Sequence, residues 1–212
     1  MKYQLQYLAL AAFALWLCGC ASSSIKQSWT SPTRRDGQVQ KISVLAVHER
    51  STVRQGLENR FVLELRSKGQ DAFATHELLS LSEINADKEG AAARLRAAGA
   101  DAVLIVRLVN SSTYSSEVRA TPELYIPTMS GAYESYNWHD YYSVAFMHMG
   151  VVWGNTKQDI YLDSSLFDLK TGQRLWSALT LTVLKEDTDR LAAADSLVAK
   201  LVNALRKDGI VR

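Results

Sequence analysis

The chain contains two short apolar runs, KISVLAV at residues 41–47 and AVLIV at residues 102–106. Both are rich in β-branched residues and too short for typical helices, so each predicts a strand covered on both faces. Between them lie a helical pattern at 51–68, a short strand at 70–75 and a second helical pattern ending near Ala98. Strands that alternate with helices favour a parallel arrangement with helical crossovers, and the most apolar run, 102–106, is expected at the centre.

The two predicted helices have recognisable ends. The first begins at Ser51, a residue type that caps helix N-termini, and ends before Gly69, where a C-cap glycine is favoured. The second begins at Ser82 or Asn85 and contains Gly90, which lowers helix stability by about 1 kcal/mol relative to alanine. With the three strands, these helices give the order β-α-β-α-β.

The last third of the chain changes to an antiparallel pattern. Apolar and polar residues alternate on both sides of the turn DLKTG at 168–172, which predicts a hairpin with one buried face. Residues 144–153 are predicted as a further strand. Residues 191–205 are predicted as a C-terminal helix that stops before Gly209, with an apolar stripe formed by Leu191, Ala194, Val198, Leu201 and Leu205. The sequence therefore predicts one α/β domain at 41–212 with a mixed sheet, in which antiparallel hairpins and a C-terminal helix follow the β-α-β-α-β unit.

The composition excludes several classes of protein. Of the 212 residues, 47% are hydrophobic and 22% are charged, which is ordinary for a folded domain and excludes wholesale disorder. The formal net charge of +2 gives no reason to expect a nucleic-acid partner. Two cysteines cannot form a disulfide framework.

The N-terminus resembles a bacterial lipoprotein signal. Lys2 precedes the nearly continuous apolar run 5–17, which is shorter than the ~20 residues that a membrane-spanning helix needs. The run ends in LCGC at 17–20, which resembles the lipobox: an aliphatic residue, two small residues and a cysteine. A plain secretory signal and a true membrane anchor are the alternatives.

The lipobox resemblance implies cleavage after residue 19 and acylation of Cys20. Lipoproteins of this class carry three acyl chains, and two or more chains anchor a protein stably. Ala21 stands where an inner-membrane retention signal has Asp, so the expected location is the outer membrane, on its periplasmic face. Residues 20–40 are polar and lack apolar periodicity, and are predicted as a lipidated flexible tether; Trp29 within them is expected to pack on the domain or to mark a partner contact.

An aromatic-rich insertion is predicted at about 111–153. Its core, 120–142, has two prolines and no sustained periodicity, and long ordered loops of this kind are often functional. Tyrosine suits contact surfaces because it joins a rigid apolar ring to a polar tip. We therefore expect an interaction surface here; in the alternative, the rings fold back and cover one end of the sheet. The candidate residues are Tyr125, Tyr133, Tyr136, Trp138, Tyr141 and Tyr142.

The sequence contains no motif that is typical of a catalytic site. The chain has none of the usual glycine-rich phosphate loops, nucleophile elbows or helix-borne histidine pairs. The cluster Met147-His148-Met149 could attract Cu(I), but a strand would point the histidine away from the two methionines. Asp187 and Asp189 are explained by the dipole of the following helix. We therefore predict no catalytic residue, metal site or cofactor, and a chain that is not an enzyme.

Four segments carry a resemblance to a known architecture: RFVLEL at 60–65, AGADAVL at 98–104, DLKTGQRLW at 168–176 and KDG at 207–209. With the lipobox, they resemble small envelope lipoproteins whose domain is similar to the N-terminal domain of the Tol-system protein TolB. Penicillin-binding-protein activator lipoproteins and curli-secretion lipoproteins share this architecture. The resemblance implies a domain that binds proteins or assembles into rings, and it implies no catalytic residues.

These observations predict a non-enzymatic outer-membrane lipoprotein that acts as a protein-interaction or assembly module in envelope biogenesis or secretion. Its expected contacts are the membrane, through the lipid, and either an envelope protein or further copies of itself. The alternative function is that of a periplasmic lipoprotein that binds or senses a small molecule or a sugar. An enclosed pocket lined by the aromatic segment 133–142 would favour this alternative.

Overall fold

The computed structural model describes residues 22–33, 39–110, 137–147, 159–184 and 188–211. They form one α/β domain, a six-stranded mixed sheet with helices on both faces. The strands are β1 (Ser22–Thr30), β2 (Lys41–Val47), β3 (Asp71–Ala74), β4 (Ala102–Asn110), β5 (Asp159–Asp168) and β6 (Arg174–Val183). The helices are α1 (Ser51–Ser67), α2 (Leu81–Ala86), α3 (Lys88–Ala97), α4 (Trp138–Met147) and α5 (Arg190–Lys207).

The strand order in the sheet is β1-β6-β5-β4-β2-β3. Strands β2, β3 and β4 are parallel, whereas β4–β5, β5–β6 and β6–β1 are antiparallel pairs. Strand β4 lies in the interior of the sheet, as its apolar sequence predicts. The predicted fold class, with the β-α-β-α-β unit, the hairpin at 159–183 and the C-terminal helix, is confirmed.

Side chains on β2 alternate between two cores, one on each face of the sheet. Ile42 and Val44 pack with helices α1 and α5, in a core that includes Phe61 of α1. Leu45, on the opposite face, packs with α2, α3 and α4, in a core that includes Tyr142 of α4. Because both faces are covered, the strand reads as a continuous apolar run rather than an alternating one.

The tether prediction is wrong for residues 22–30, because they form strand β1 at the edge of the sheet. Strand β1 pairs with β6 from Ser22↔Val183 to Thr30↔Trp176. Its Trp29 packs on the domain as expected, since the guanidinium of Arg174 lies 4.8 Å from the centre of the indole ring. The domain therefore begins two residues after Cys20.

The predictions of an irregular segment to residue 142 and of a strand from Val144 are wrong where the structure describes them. Residues 138–147 form helix α4, and residues 148–153 lie outside the described residues. Among the α4 side chains that the structure describes, those at positions 138, 141, 142 and 145 are buried, which is the i, i+3, i+4, i+7 spacing of a helix that packs through one face.

The single helix predicted from residue 82 or 85 to about 98 is two helices. Ser80 caps α2: its hydroxyl accepts a hydrogen bond from the backbone N–H of Glu83, whose carboxylate accepts one from the N–H of Ser80. The Glu83 carboxylate accepts hydrogen bonds from the Ser80 backbone N–H and from the Ser80 hydroxyl, and these two bonds, the first more than the second, lower the pKa of Glu83 to about 2. Asp87 ends α2 and caps α3 by accepting a hydrogen bond from the N–H of Gly90 at 2.8 Å.

Candidate functional site

The predicted site residues, which are the lipidation site and the aromatic interaction surface, divide into two groups. Cys20 and three of the tyrosines, Tyr125, Tyr133 and Tyr136, lie outside the described residues. The other three aromatic residues lie in α4 and are only 2%, 4% and 0% exposed: Trp138, Tyr141 and Tyr142. This corrects the prediction for these three. Their rings fold back onto the domain, as in the alternative, but they cover one face of the sheet rather than one end of it.

Tyr141 lies in a buried polar cluster between α4 and the sheet. The ring is 5.3 Å from that of Phe167, and the guanidinium of Arg107 lies 5.8 Å from its centre. Arg107 is paired in turn with the buried carboxylate of Asp163, at 3.0 Å. Burial, and then the Asp163 carboxylate, raise the pKa of Tyr141 above its ordinary value, so the phenol stays neutral at physiological pH.

A second buried cluster joins α1 to the carboxyl ends of β2 and β3. The fully buried carboxylate of Glu58 accepts hydrogen bonds from the Arg54 guanidinium at 2.8 Å and the Ala46 backbone N–H at 3.0 Å. It also lies 2.7 Å from both the backbone nitrogen and the ring Nδ1 of His76. The same guanidinium donates to the backbone oxygen of Leu79 at 2.8 Å. Sequence reasoning missed this cluster, whose polar atoms are occupied in holding α1, β2 and the turn after β3 together.

An apolar groove runs between α1 and α5, over the outer part of the sheet. One wall includes Val53 and Leu57 of α1, the floor includes Leu162 of β5, and the opposite wall includes Ala194 and Leu197 of α5. Its volume is about 430 Å³, within the roughly 300–1,000 Å³ typical of small-molecule sites. We call this cavity the α1–α5 groove.

The chemistry of the groove suits hydrocarbon. Ten of its fourteen lining residues are apolar, counting glycine, and the other four are two threonines and two arginines, Arg60 and Arg190. Arg60 is partly neutralised by Asp195 at 3.2 Å. Leu191, on the wall formed by α5, leaves 64% of its surface exposed, although it belongs to the apolar stripe predicted for that helix. A sugar would need more hydrogen-bonding groups than this lining offers.

The groove lies beside the first strand of the domain. Thr182 of β6 lines the groove, and its hydroxyl is 2.9 Å from that of Ser23 on β1. Lys200 of α5 donates a hydrogen bond to the backbone oxygen of Ser23 from the same side. Because β1 is antiparallel to β6, the first residues of β1 lie beside the last residues of β6. This is the end of the sheet from which the chain continues to α5.

The described part of the chain offers no metal-binding cluster and no membrane-spanning helix. It contains no group of three or more histidine, cysteine or acidic residues placed to hold a metal ion. Among the helices described, none is long and apolar enough to span a bilayer. The Met147-His148-Met149 cluster extends outside the described residues. Asp189 caps α5 by accepting a hydrogen bond from the backbone N–H of Leu191 at 2.8 Å, as its helix-terminal position predicts.

Comparison with known proteins gives structural neighbours only. No family model and no curated protein matches the chain. The PelC dodecamer from Paraburkholderia phytofirmans is 14% identical, with a TM-score of 0.50, over 90% of this chain and 99% of that chain. A point variant of the same dodecamer gives 15% identity and a TM-score of 0.47 over 86% and 95%. The lipoprotein GNA1162 from Neisseria meningitidis gives 14% and 0.42 over 79% and 96%.

The match to the PelC dodecamer shows that the two chains share their fold over nearly the whole length of both. The TolB-like, activator-like and curli-secretion-like families remain a resemblance on sequence motifs.

Proposed function

We propose that this chain is a bacterial envelope lipoprotein, held at the periplasmic face of the outer membrane by acylated Cys20, whose α/β domain acts without catalysis as an assembly module. The observation that carries the proposal is the start of β1 at Ser22, immediately after the lipobox-like LCGC at 17–20. An anchor that leads directly into a strand of the sheet holds the whole domain against the bilayer in one orientation.

This arrangement favours self-assembly for two physical reasons. A lipid anchor confines the domain to two dimensions, which raises its effective concentration near other anchored copies. Copies that share one orientation relative to a membrane are related by rotation about its normal and translation in its plane, so a repeated head-to-tail contact produces a closed ring when its rotation closes. The shared fold with a protein that forms a dodecamer supports such a ring here.

The second candidate function is binding of a small molecule, and the α1–α5 groove supports it. The lining of the α1–α5 groove favours a hydrocarbon ligand over a sugar. The described aromatic residues of the 133–142 segment do not line this groove, because Trp138, Tyr141 and Tyr142 are core residues on the other face of the sheet. The sugar-binding version of this function is therefore the weaker alternative.

Cell fractionation tests the anchor, with the neighbouring cysteine as a matched control. We expect the wild-type chain and Cys18→Ala in the outer-membrane fraction, and Cys20→Ala to be lost from it and to appear in the periplasm. Recovery of Cys20→Ala with outer membranes at the wild-type level would contradict the proposal.

Native mass measurement of the acylated chain in detergent tests the assembly. We expect a closed multimer, and chemical crosslinking in intact cells should join neighbouring copies. A chain that remains monomeric in both experiments would contradict self-assembly, and crosslinks to a different envelope protein would then identify a hetero-complex.

A further inference from the structure

The start of β1 places the predicted lipid within reach of the α1–α5 groove. Ser22 pairs with Val183, and Ser23 pairs with Thr182, which lines the groove. Cys20 precedes Ser22 by two residues, so its Cα lies at most about 7 Å from that of Ser22, even in a fully extended chain. The sulfur that would carry the lipid is therefore tethered beside an apolar cavity of about 430 Å³.

We propose that one acyl chain of lipidated Cys20 lies in the α1–α5 groove, which makes the groove an intramolecular lipid-binding site. This inference rests on the proposed function, because it requires Cys20 to be acylated. Among hydrocarbon sources, the protein's own lipid is favoured by the shortness of its tether. A group tethered this closely has a high effective concentration at the site, which free fatty acids and neighbouring phospholipids lack.

The groove shows the properties expected of a site that hydrocarbon fills. Leu191, which leaves 64% of its surface exposed, belongs to a contiguous, mostly apolar lining, and contiguous apolar surface of this kind is typical of a ligand-binding groove. Gly56 of α1 lines the groove, and a Cβ added there would meet no atom within 4 Å. The groove therefore has free space beside Gly56, and a bulky side chain at this position would fill part of that space.

Occupation of the groove is compatible with a stable membrane anchor. One acyl chain alone holds a protein to a bilayer only marginally, whereas two hold it firmly. The lipoprotein resemblance implies three chains, so two remain for the bilayer when one lies in the groove. The third chain then bridges α1 and α5 and fixes the domain at the membrane surface, in addition to the backbone pairing of β1.

Photocrosslinking of the full-length acylated chain tests this placement. Cells are grown on a fatty acid that carries a diazirine in its hydrocarbon tail, and the purified lipoprotein is irradiated, digested and analysed by mass spectrometry. We expect the acylated Cys20 peptide to be joined covalently to peptides that contain residues 52–60 or 190–197. Crosslinks of these groove peptides to phospholipid instead, or to neither, would overturn the proposal.

Two groove-filling variants and one control sharpen the test. Gly56→Phe from α1 and Ala194→Phe from α5 fill the groove from opposite walls, so at least one is expected to fold with the wild-type circular-dichroism spectrum. Each folded variant should lose the Cys20 crosslinks. Leu63→Phe, on the same helix but outside the groove and 68% exposed in the wild type, should retain them. Unchanged crosslinking in a folded groove variant would contradict the proposal.

The intact mass of the chain before irradiation distinguishes a failure of the lipid placement from a failure of the proposed function. An acylated chain without groove crosslinks contradicts only the placement of the lipid. A chain with an unmodified Cys20 contradicts both this inference and the proposed function.

Discussion

The indole Nε1 of Trp176 donates a hydrogen bond to the carboxylate of Asp208 at 2.8 Å. Trp176 is fully buried on β6, at the end of the segment DLKTGQRLW, and Asp208 is the C-cap residue of α5. The bond joins two of the segments that carry the family resemblance. It fixes the end of the last helix against the strand that pairs with β1.

The first prediction concerns this bond. Asp208→Ala is expected to lower the free energy of unfolding by about 1–3 kcal/mol, because the buried indole N–H loses its acceptor. Asp208→Asn keeps an acceptor oxygen and should cost less than half as much. Urea denaturation of both variants measures the difference, and equal losses would contradict the assigned role.

The second prediction concerns the buried carboxylate of Glu58. Glu58→Gln removes the charge that pairs with buried Arg54 and replaces an acceptor oxygen with a donor group, so we expect a loss of about 3–5 kcal/mol. The control is Glu64→Gln on the same helix. Its partner Lys68, at 3.3 Å, is partly exposed, and such pairs contribute about 0–1 kcal/mol. Thermal and urea unfolding test the contrast, and similar losses for the two variants would refute it.

The third prediction is a pH dependence that comes from His48, which is only 6% exposed. Burial, and to a lesser degree the neighbouring Arg50 charge, lower the pKa of the His48 imidazole. The unfolded chain then binds a proton more readily than the folded chain. The contribution of neutral His48 to the free energy of unfolding is therefore fully present above about pH 6.5 and is lost as the pH falls below this value.

His48→Asn tests this pH dependence, because its side-chain oxygen can replace Nδ1 as the acceptor for the Arg50 backbone N–H, which lies 3.0 Å away. We expect the wild type to lose stability more steeply than the variant between about pH 6.5 and pH 5, by at most about 1.4 kcal/mol per pH unit. Parallel curves for the two proteins would show that His48 does not contribute.

The fourth prediction contrasts two helical glycines. A Cβ at Gly90 would lie 2.1 Å from a carboxylate oxygen of Asp87, so Gly90→Ala displaces the cap of α3. The loss of the cap, about 0.5–2 kcal/mol, is expected to cancel or exceed the roughly 1 kcal/mol that alanine gains over glycine in a helix. A Cβ at Gly56 meets nothing, so Gly56→Ala should stabilise by about 0.5–1 kcal/mol. An increase in melting temperature for Gly90→Ala as large as that for Gly56→Ala would contradict this account of the two helices.

The sequence predicts the interior strands well because their composition follows from burial on both faces. The run at 102–106 is entirely apolar, which is typical of a strand in the interior of a sheet. In β5 and β6, apolar and polar residues alternate on both sides of the turn at 168–172. Strand β1 carries no such signal. It lies at the edge, pairs with one neighbour only, and its nine residues SSSIKQSWT are mostly polar, as edge strands tend to be.

Helix α4 could have been found in the sequence. Its buried residues at 138, 141, 142 and 145 have helical spacing, but the aromatic composition of the surrounding segment favoured an irregular loop and then a strand. The Glu58 cluster could not have been found in this way. A carboxylate and a guanidinium four residues apart usually form an exposed pair, and only the tertiary contact with His76, 18 residues away, shows that the pair is buried.

The α1–α5 groove could not be predicted from local sequence patterns either. Its walls come from helices more than a hundred residues apart, and the exposure of Leu191 contradicts its place in a regular apolar stripe. The proposed reach of the Cys20 lipid to the groove rests on the register of β1 against β6, which an unpaired tether would not have.

The most direct test of the account is the intact mass of the native chain extracted from membranes. We predict a polypeptide that begins at Cys20, with a diacylglyceryl group on its sulfur and an acyl group on its amino terminus. A product that retains Met1, or one that carries a free thiol at Cys20, would contradict the anchor and with it the proposed function.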